Sequence, residues 1–346
     1  GCDTRAKSRP MTHQPRDIDK IAQPLDPAKF RNPDRTAKGE LRASVALVEL
    51  ETLWINTGTL CNITCANCYI ESSPDNDRLA YFALADALTL YDEIAALGLA
   101  TGEIGFTGGE PFMNPALLEM VAAALKRGLS VLVLTNAMRP MQRPRIKAGL
   151  IALQQRYGRR LRLRVSLDHY SQALHERERG PGTWDPVIAG LDWLAGNGFA
   201  IAVAGRTCWD EPMPAARAGY RALFAARGWP LDASNPADLV LLPEMDARLD
   251  VPEITTACWS LLHKSPSDVM CATSRMVVKR KGQAPLAVMP CTLIAYSQAF
   301  EMGATLAESL AVDGGNFERG AVKLNHPHCA KFCVLGGGTC SPGGSG

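Results

Sequence analysis

No apolar run in this chain of 346 residues approaches the roughly 18 residues of a membrane-spanning helix. A dominant charge is missing too: 37 basic residues against 35 acidic leave +2, with no basic patch of the kind a nucleic-acid partner requires. The first residues lack the basic region and apolar core of a secretory signal. We see no internal repeat, and no low-complexity tract apart from the glycine-rich tail GGGTCSPGGSG. These absences exclude nucleic acid and membrane as default partners and predict a cytoplasmic protein. In that setting clustered cysteines bind metal more often than they form disulfides.

Cysteine is plentiful instead, at 11 residues, and it is unevenly spread. Cys61, Cys65 and Cys68 fall within CNITCANCYI, six more run from Cys258 to Cys340, and Cys2 and Cys208 stand alone. Cys208 reads as a small buried residue and Cys2 as incidental.

Residues 1–44, rich in Pro, Lys, Arg and Asp, read as a flexible lead-in. They are too few for a cobalamin domain or a full peptide-recognition domain. Strand-like runs then follow at 48–55, 103–106, 131–135, 161–167, 199–204 and 239–242, alternating with helical stretches at 80–97, 114–128, 146–157, 184–194 and 215–226. Strand and helix in alternation predict a parallel sheet with right-handed crossovers, open or curled into a partial barrel. After about residue 250 the helical period fades, and a metal-stapled, loop-rich appendage is expected over 251–346.

The C-x3-C-x2-C triplet follows the first strand, where parallel α/β folds build their sites. Three thiolates on a tight loop can each bind one iron of a cubane cluster, leaving the fourth iron without a protein ligand. A zinc site completed by a distant Cys or His is the alternative. About 40 residues on, the second strand runs into TGGEP (Thr107 to Pro111), whose glycines allow close backbone approach and whose Glu110 can accept from an ammonium group.

Together these motifs resemble the radical S-adenosylmethionine (SAM) enzymes, over roughly residues 45–245 of an expected barrel domain at 45–250. One departure is Asn67, where the family often has an aromatic residue before the third cysteine. The resemblance implies an α/β fold, a partial (β/α)6 TIM-type barrel with a small cysteine-rich C-terminal appendage. It implies a [4Fe–4S] cluster on Cys61, Cys65 and Cys68, and SAM contacts from Gly108, Gly109, Glu110, Pro111, Asn136, Ser166 and Asp168. Arg179, in a stretch like the family's His-x-x-x-Arg-Gly, would meet the SAM carboxylate through its guanidinium fork.

The last cysteines resemble the SPASM or Twitch extension. That implies one or two auxiliary iron–sulfur clusters on Cys258, Cys271, Cys291, Cys329, Cys333 and Cys340, with zinc as the alternative. The implied activity is reductive cleavage of SAM to a 5′-deoxyadenosyl radical that takes hydrogen from a peptide or small molecule for oxidation or crosslinking. The electron would come from a flavodoxin or ferredoxin. Radical methyl or group transfer, and a zinc-binding scaffold, are the competing readings.

Overall fold

The computed structural model describes residues 23–336. A two-residue strand, β1 (Ser44–Val45), precedes the main sheet, whose strands are β2 (Thr52–Asn56), β3 (Glu103–Thr107), β4 (Ser130–Thr135), β5 (Leu161–Ser166), β6 (Ala200–Arg206) and β7 (Leu239–Leu242). These six pair in parallel, each with the next in sequence. They are Leu- and β-branched-rich because both faces are covered, as in parallel sheets generally. The α/β partial barrel is therefore present.

Its outer layer consists of α1 (Leu84–Ala96), α2 (Leu117–Lys126), the short α3 (Arg139–Gln142), α4 (Pro144–Tyr157), α5 (Gln172–Arg179), α6 (Trp184–Gly196) and α7 (Met213–Arg227). In α1 the buried residues Ala87, Leu90, Tyr91 and Ile94 recur at helical spacing. Asn114 accepts from Ala116 N–H at 2.8 Å. Its Nδ2 also donates to the Thr57 and Phe82 carbonyls, both at 2.9 Å, which ties the start of α2 to the loop after β2.

One strand face packs on the helices through rows such as Ile55, Phe106, Val133, Leu163 and Ile201, all buried. The other lines the barrel. Its floor is filled by Trp54, which occupies the space that a side chain at Gly105 would need.

Past residue 250 come α8 (Cys258–Leu262), β8 (Ser274–Val278), β9 (Ala287–Met289), α9 (Leu306–Ala311), β10 (Phe317–Glu318), β11 (Ala321–Lys323) and a π-helical turn, Cys329–Leu335. This region joins the barrel through its sheet. Strand β8 lies parallel to β2, pairing Thr52 with Ser274, and β9 adds antiparallel outside it. The sheet order is thus β7-β6-β5-β4-β3-β2-β8-β9.

The described part of the lead-in is likewise anchored rather than loose. Arg42 meets Glu253 at 2.6 Å with both side chains buried, Glu253 also accepts from Phe30 and Ala37 N–H, and β1 pairs with β11. Buried charge needs such partners, so residues from 23 onward belong to the folded unit. No helix among the described residues is long and apolar enough to cross a membrane.

Candidate active site

The loops after β2 to β7 gather at one end of the sheet and enclose a cavity of about 1080 Å³, counting its open mouth. Cys61, Cys65, Cys68, Gly108, Gly109, Asn136, Ser166, Asp168 and Arg179 all line it, so most of the expected SAM and cluster residues are brought together.

The two glycines serve the cysteine loop. Gly109 N–H donates to the Gly58 carbonyl at 2.8 Å and Glu110 N–H to that of Leu60 at 3.1 Å. A Cβ at Gly109 would sit 2.2 Å from the Leu60 oxygen, and one at Gly108, where φ is +136°, would sit 2.5 Å from the Gly58 oxygen. Glycine is required at both places, and the close approach is to the loop that leads into Cys61.

Glu110 and Pro111 are not in the cavity wall. Glu110 is buried and accepts from Phe112 N–H at 3.1 Å, Thr135 Oγ1 at 2.8 Å and Asn136 N–H at 2.8 Å. The ammonium contact expected of Glu110 thus meets a carboxylate already engaged in joining the ends of β3 and β4. Burial pushes its pKa up to about 7, against the pull of these donors. Pro111 opens a buried 3-10 turn, Pro111–Met113.

Arg179 is also engaged. Its Nε donates to Asp168 Oδ2 at 2.7 Å and its Nη2 to Oδ1 at 3.2 Å, a side-on bidentate pair. The residue before it, Glu178, explains Asn67. Glu178 accepts from Asn67 N–H at 3.0 Å and from Nδ2 at 2.8 Å, and its carbonyl accepts from Ala66 N–H at 2.7 Å. An aromatic residue at 67 could not complete that clamp. Helix α5 therefore fixes the cysteine loop from one side while the glycines fix it from the other.

Burial pushes the Cys61 thiol up to about 12, and burial likewise raises Cys65, where Arg179 pulls the other way. The metal-free site thus favours thiols, and a bound metal must displace their protons.

Among the groups in the wall that were not anticipated are Arg164, Arg206, Leu293 and Phe332. Arg164 had a signal, an arginine at an inward position of a strand otherwise buried on both faces. Arg206 stands at the carboxyl end of β6, the position where barrel sites are built. Leu293 and Phe332 come from the C-terminal region and carried no signal.

Residues 55–208 match the radical SAM superfamily. Over that stretch the chain is similar to radical SAM domains.

Among similar proteins is the antilisterial bacteriocin subtilosin biosynthesis protein AlbA of Bacillus subtilis, 29% identical over 145 residues, which are 42% of this chain and 30% of AlbA. The AdoMet-dependent heme synthase of Nitratidesulfovibrio vulgaris is 27% identical over 146 residues, covering 41% of this chain and 36% of the synthase. The match spans about a third of either relative's length. Streptococcus suis SuiB, in its crystal structure bound to S-adenosylmethionine, shares the fold at 12% identity with a TM-score of 0.57, over 78% of this chain and 67% of SuiB.

Outside the matched stretch a second, apolar cavity is lined by Cys271, Cys291, Cys329 and Cys333, with His328 and Leu293. Cys258, expected among the cluster ligands, does not line it: its sulfur is held in a disulfide and accepts from Thr255 N–H at 3.3 Å. Cys340 lies outside the described residues. Burial raises the thiols of Cys271, to about 11, and of Cys329, where Cys291 and Cys271 add to the effect. Arg275 is fully buried beside this cavity, its Nη1 donating to the Cys271 carbonyl at 2.6 Å and its charge acting on Cys271 and Cys291. Leu293 lines both cavities, so the two adjoin.

Proposed function

We propose that this protein is a radical SAM enzyme that takes hydrogen from a peptide. The carrying observation is the convergence of Cys61, Cys65 and Cys68 with Gly108, Gly109, Asn136 and Ser166 on one cavity at the carboxyl ends of the strands. Cys61, Cys65 and Cys68 would hold a [4Fe–4S] cluster, and the chemistry of three free thiols on one clamped loop fits that group. When bound, the cluster and SAM together supply a 5′-deoxyadenosyl radical.

The chain's own part is orientation and exclusion of water. Glu178 and the Gly108–Gly109 turn hold the cysteine loop from opposite sides. Ser166 and Asn136 offer polar groups to the cofactor, and Asp168 and Arg179 neutralise each other within that wall. Leu134, Ala204, Leu242, Met245 and Phe332 give the chamber an apolar lining in which a reactive group is kept from solvent.

The four cysteines of the second cavity fit one auxiliary iron–sulfur cluster, with buried Arg275 offsetting its thiolate charge. No three His, Cys, Asp or Glu side chains among the described residues converge closely enough for a single metal ion. The peptide reading rests on the similarity to AlbA.

Anaerobic reconstitution with iron and sulfide, followed by dithionite and SAM, tests the assignment. The protein should turn brown and release 5′-deoxyadenosine, and Cys65→Ala should release none. Full release from Cys65→Ala would sink it. In the triple alanine variant at Cys61, Cys65 and Cys68, iron and sulfide should remain at one cluster per chain, and zinc alone would remove the auxiliary cluster.

A further inference from the structure

We infer that Arg206 is a carboxylate receptor in the wall of the cavity, a role that rests on the radical SAM reading of the site. Three arginines line the cavity against a single acidic residue, Asp168. Asp168 is consumed by Arg179, which spends its side-on Nε–Nη2 edge on that carboxylate. Arg179 is also the cation whose charge acts on the Cys61 and Cys65 sulfurs. Arg206 is left over.

Its side chain is 12% exposed, and its own contacts are long. Nη1 donates to the Asn67 carbonyl at 3.5 Å and stands 3.9 Å from the Glu178 carboxylate, and the Cys208 sulfur is a weak hydrogen-bond partner of the guanidinium. Nε and Nη2 are buried with no oxygen or nitrogen acceptor. Those two atoms are the side-on edge, the one that Arg179 uses on Asp168, and it is the geometry that matches a carboxylate with two parallel bonds. A buried guanidinium edge left open is costly, so an acceptor is expected there. Arg206 N–H donates to the Asp168 carbonyl at 2.9 Å, which sets it at the height of the Asp168–Arg179 pair near the cysteine loop. Arg164, on the neighbouring strand and deeper in the same cavity, adds positive potential from below.

Two carboxylates can reach such a place, the methionyl carboxylate of SAM and one carried by the substrate. The test uses the reconstituted full chain under anaerobic equilibrium dialysis, with SAM, decarboxylated SAM and an acetylated glutamyl dipeptide as probes. If the SAM carboxylate is the ligand, Arg206→Gln weakens SAM at least about tenfold and leaves decarboxylated SAM unchanged. If a substrate carboxylate is the ligand, SAM affinity holds, and the SAM-loaded wild type binds the dipeptide saturably while Arg206→Gln does not.

Arg206→Lys keeps a cation beside Asn67 and Glu178 but has no side-on edge. It should lose binding as Arg206→Gln does while holding wild-type iron content, which a role confined to supporting the loop would not produce. Equal binding of SAM and dipeptide by wild type and Arg206→Gln overturns the proposal. Absence of SAM binding and cleavage in the wild type itself would instead overturn the radical SAM reading.

Discussion

Replacing Gly109 by alanine is the sharpest probe of how the cysteine loop is held. The new Cβ would stand 2.2 Å from the Leu60 oxygen, 2.6 Å from its carbonyl carbon and 2.8 Å from the Thr59 oxygen. All three are backbone atoms, so no side chain can swing away. Reaching ordinary contact requires the Leu60 peptide to retreat by roughly 1 Å. Overpacking of this kind costs about 1–3 kcal/mol. Cys61 is the next residue, and a shift of similar size there predicts a loss of activity on the order of a hundredfold. Gly102→Ala is the control, since nothing lies within 4 Å of a Cβ at that position. We expect Gly109→Ala to melt several degrees lower, to hold less iron after reconstitution and to release 5′-deoxyadenosine far more slowly, with Gly102→Ala near wild type. A Gly109→Ala protein with full iron, full rate and the melting temperature of the control would refute the reasoning.

Glu110 predicts a pH effect. Its folded pKa is pushed up to about 7, above the ordinary carboxyl value, so between about pH 4.5 and 7 the folded state keeps a proton that the unfolded state has lost. Stability should fall as pH rises through that window, by up to ~3 kcal/mol from this group. Glu110→Gln should abolish that slope in denaturation midpoints, and an unchanged slope would show that the titration belongs to another group. Glu178→Ala should free Asn67 and the loop around it, raising amide exchange over residues 61–68 about tenfold in the metal-free protein. Unaltered exchange would mean that the glycine side alone holds the loop.

Much of the barrel was legible because its strands are buried on both faces and therefore read as unbroken apolar runs. The cysteine triplet and TGGEP were legible because both are local. What joins them was not. Helix α5 buries only His175 and Glu178, so it has no apolar stripe to announce it, and its clamp on Asn67 depends on a partner more than a hundred residues away. Glu110 looked like a ligand because its type suits one, whereas its role follows from which donors the ends of β3 and β4 present. The piece containing β8 was visible as strand-like, but strand propensity does not say which sheet a strand will join.

That placement of β8 bears on how the molecule is made. Strand β2, which leads into the first cysteines, receives β3 early in synthesis but must wait for residues 274–278 to gain its other neighbour. Until then its second edge offers open backbone groups to any passing strand. A chain cut near residue 250 would keep Cys61, Cys65 and Cys68 yet retain that open edge permanently. The barrel expressed alone should aggregate, and loading of the Cys61, Cys65 and Cys68 site on the ribosome should lag until the C-terminal region has emerged.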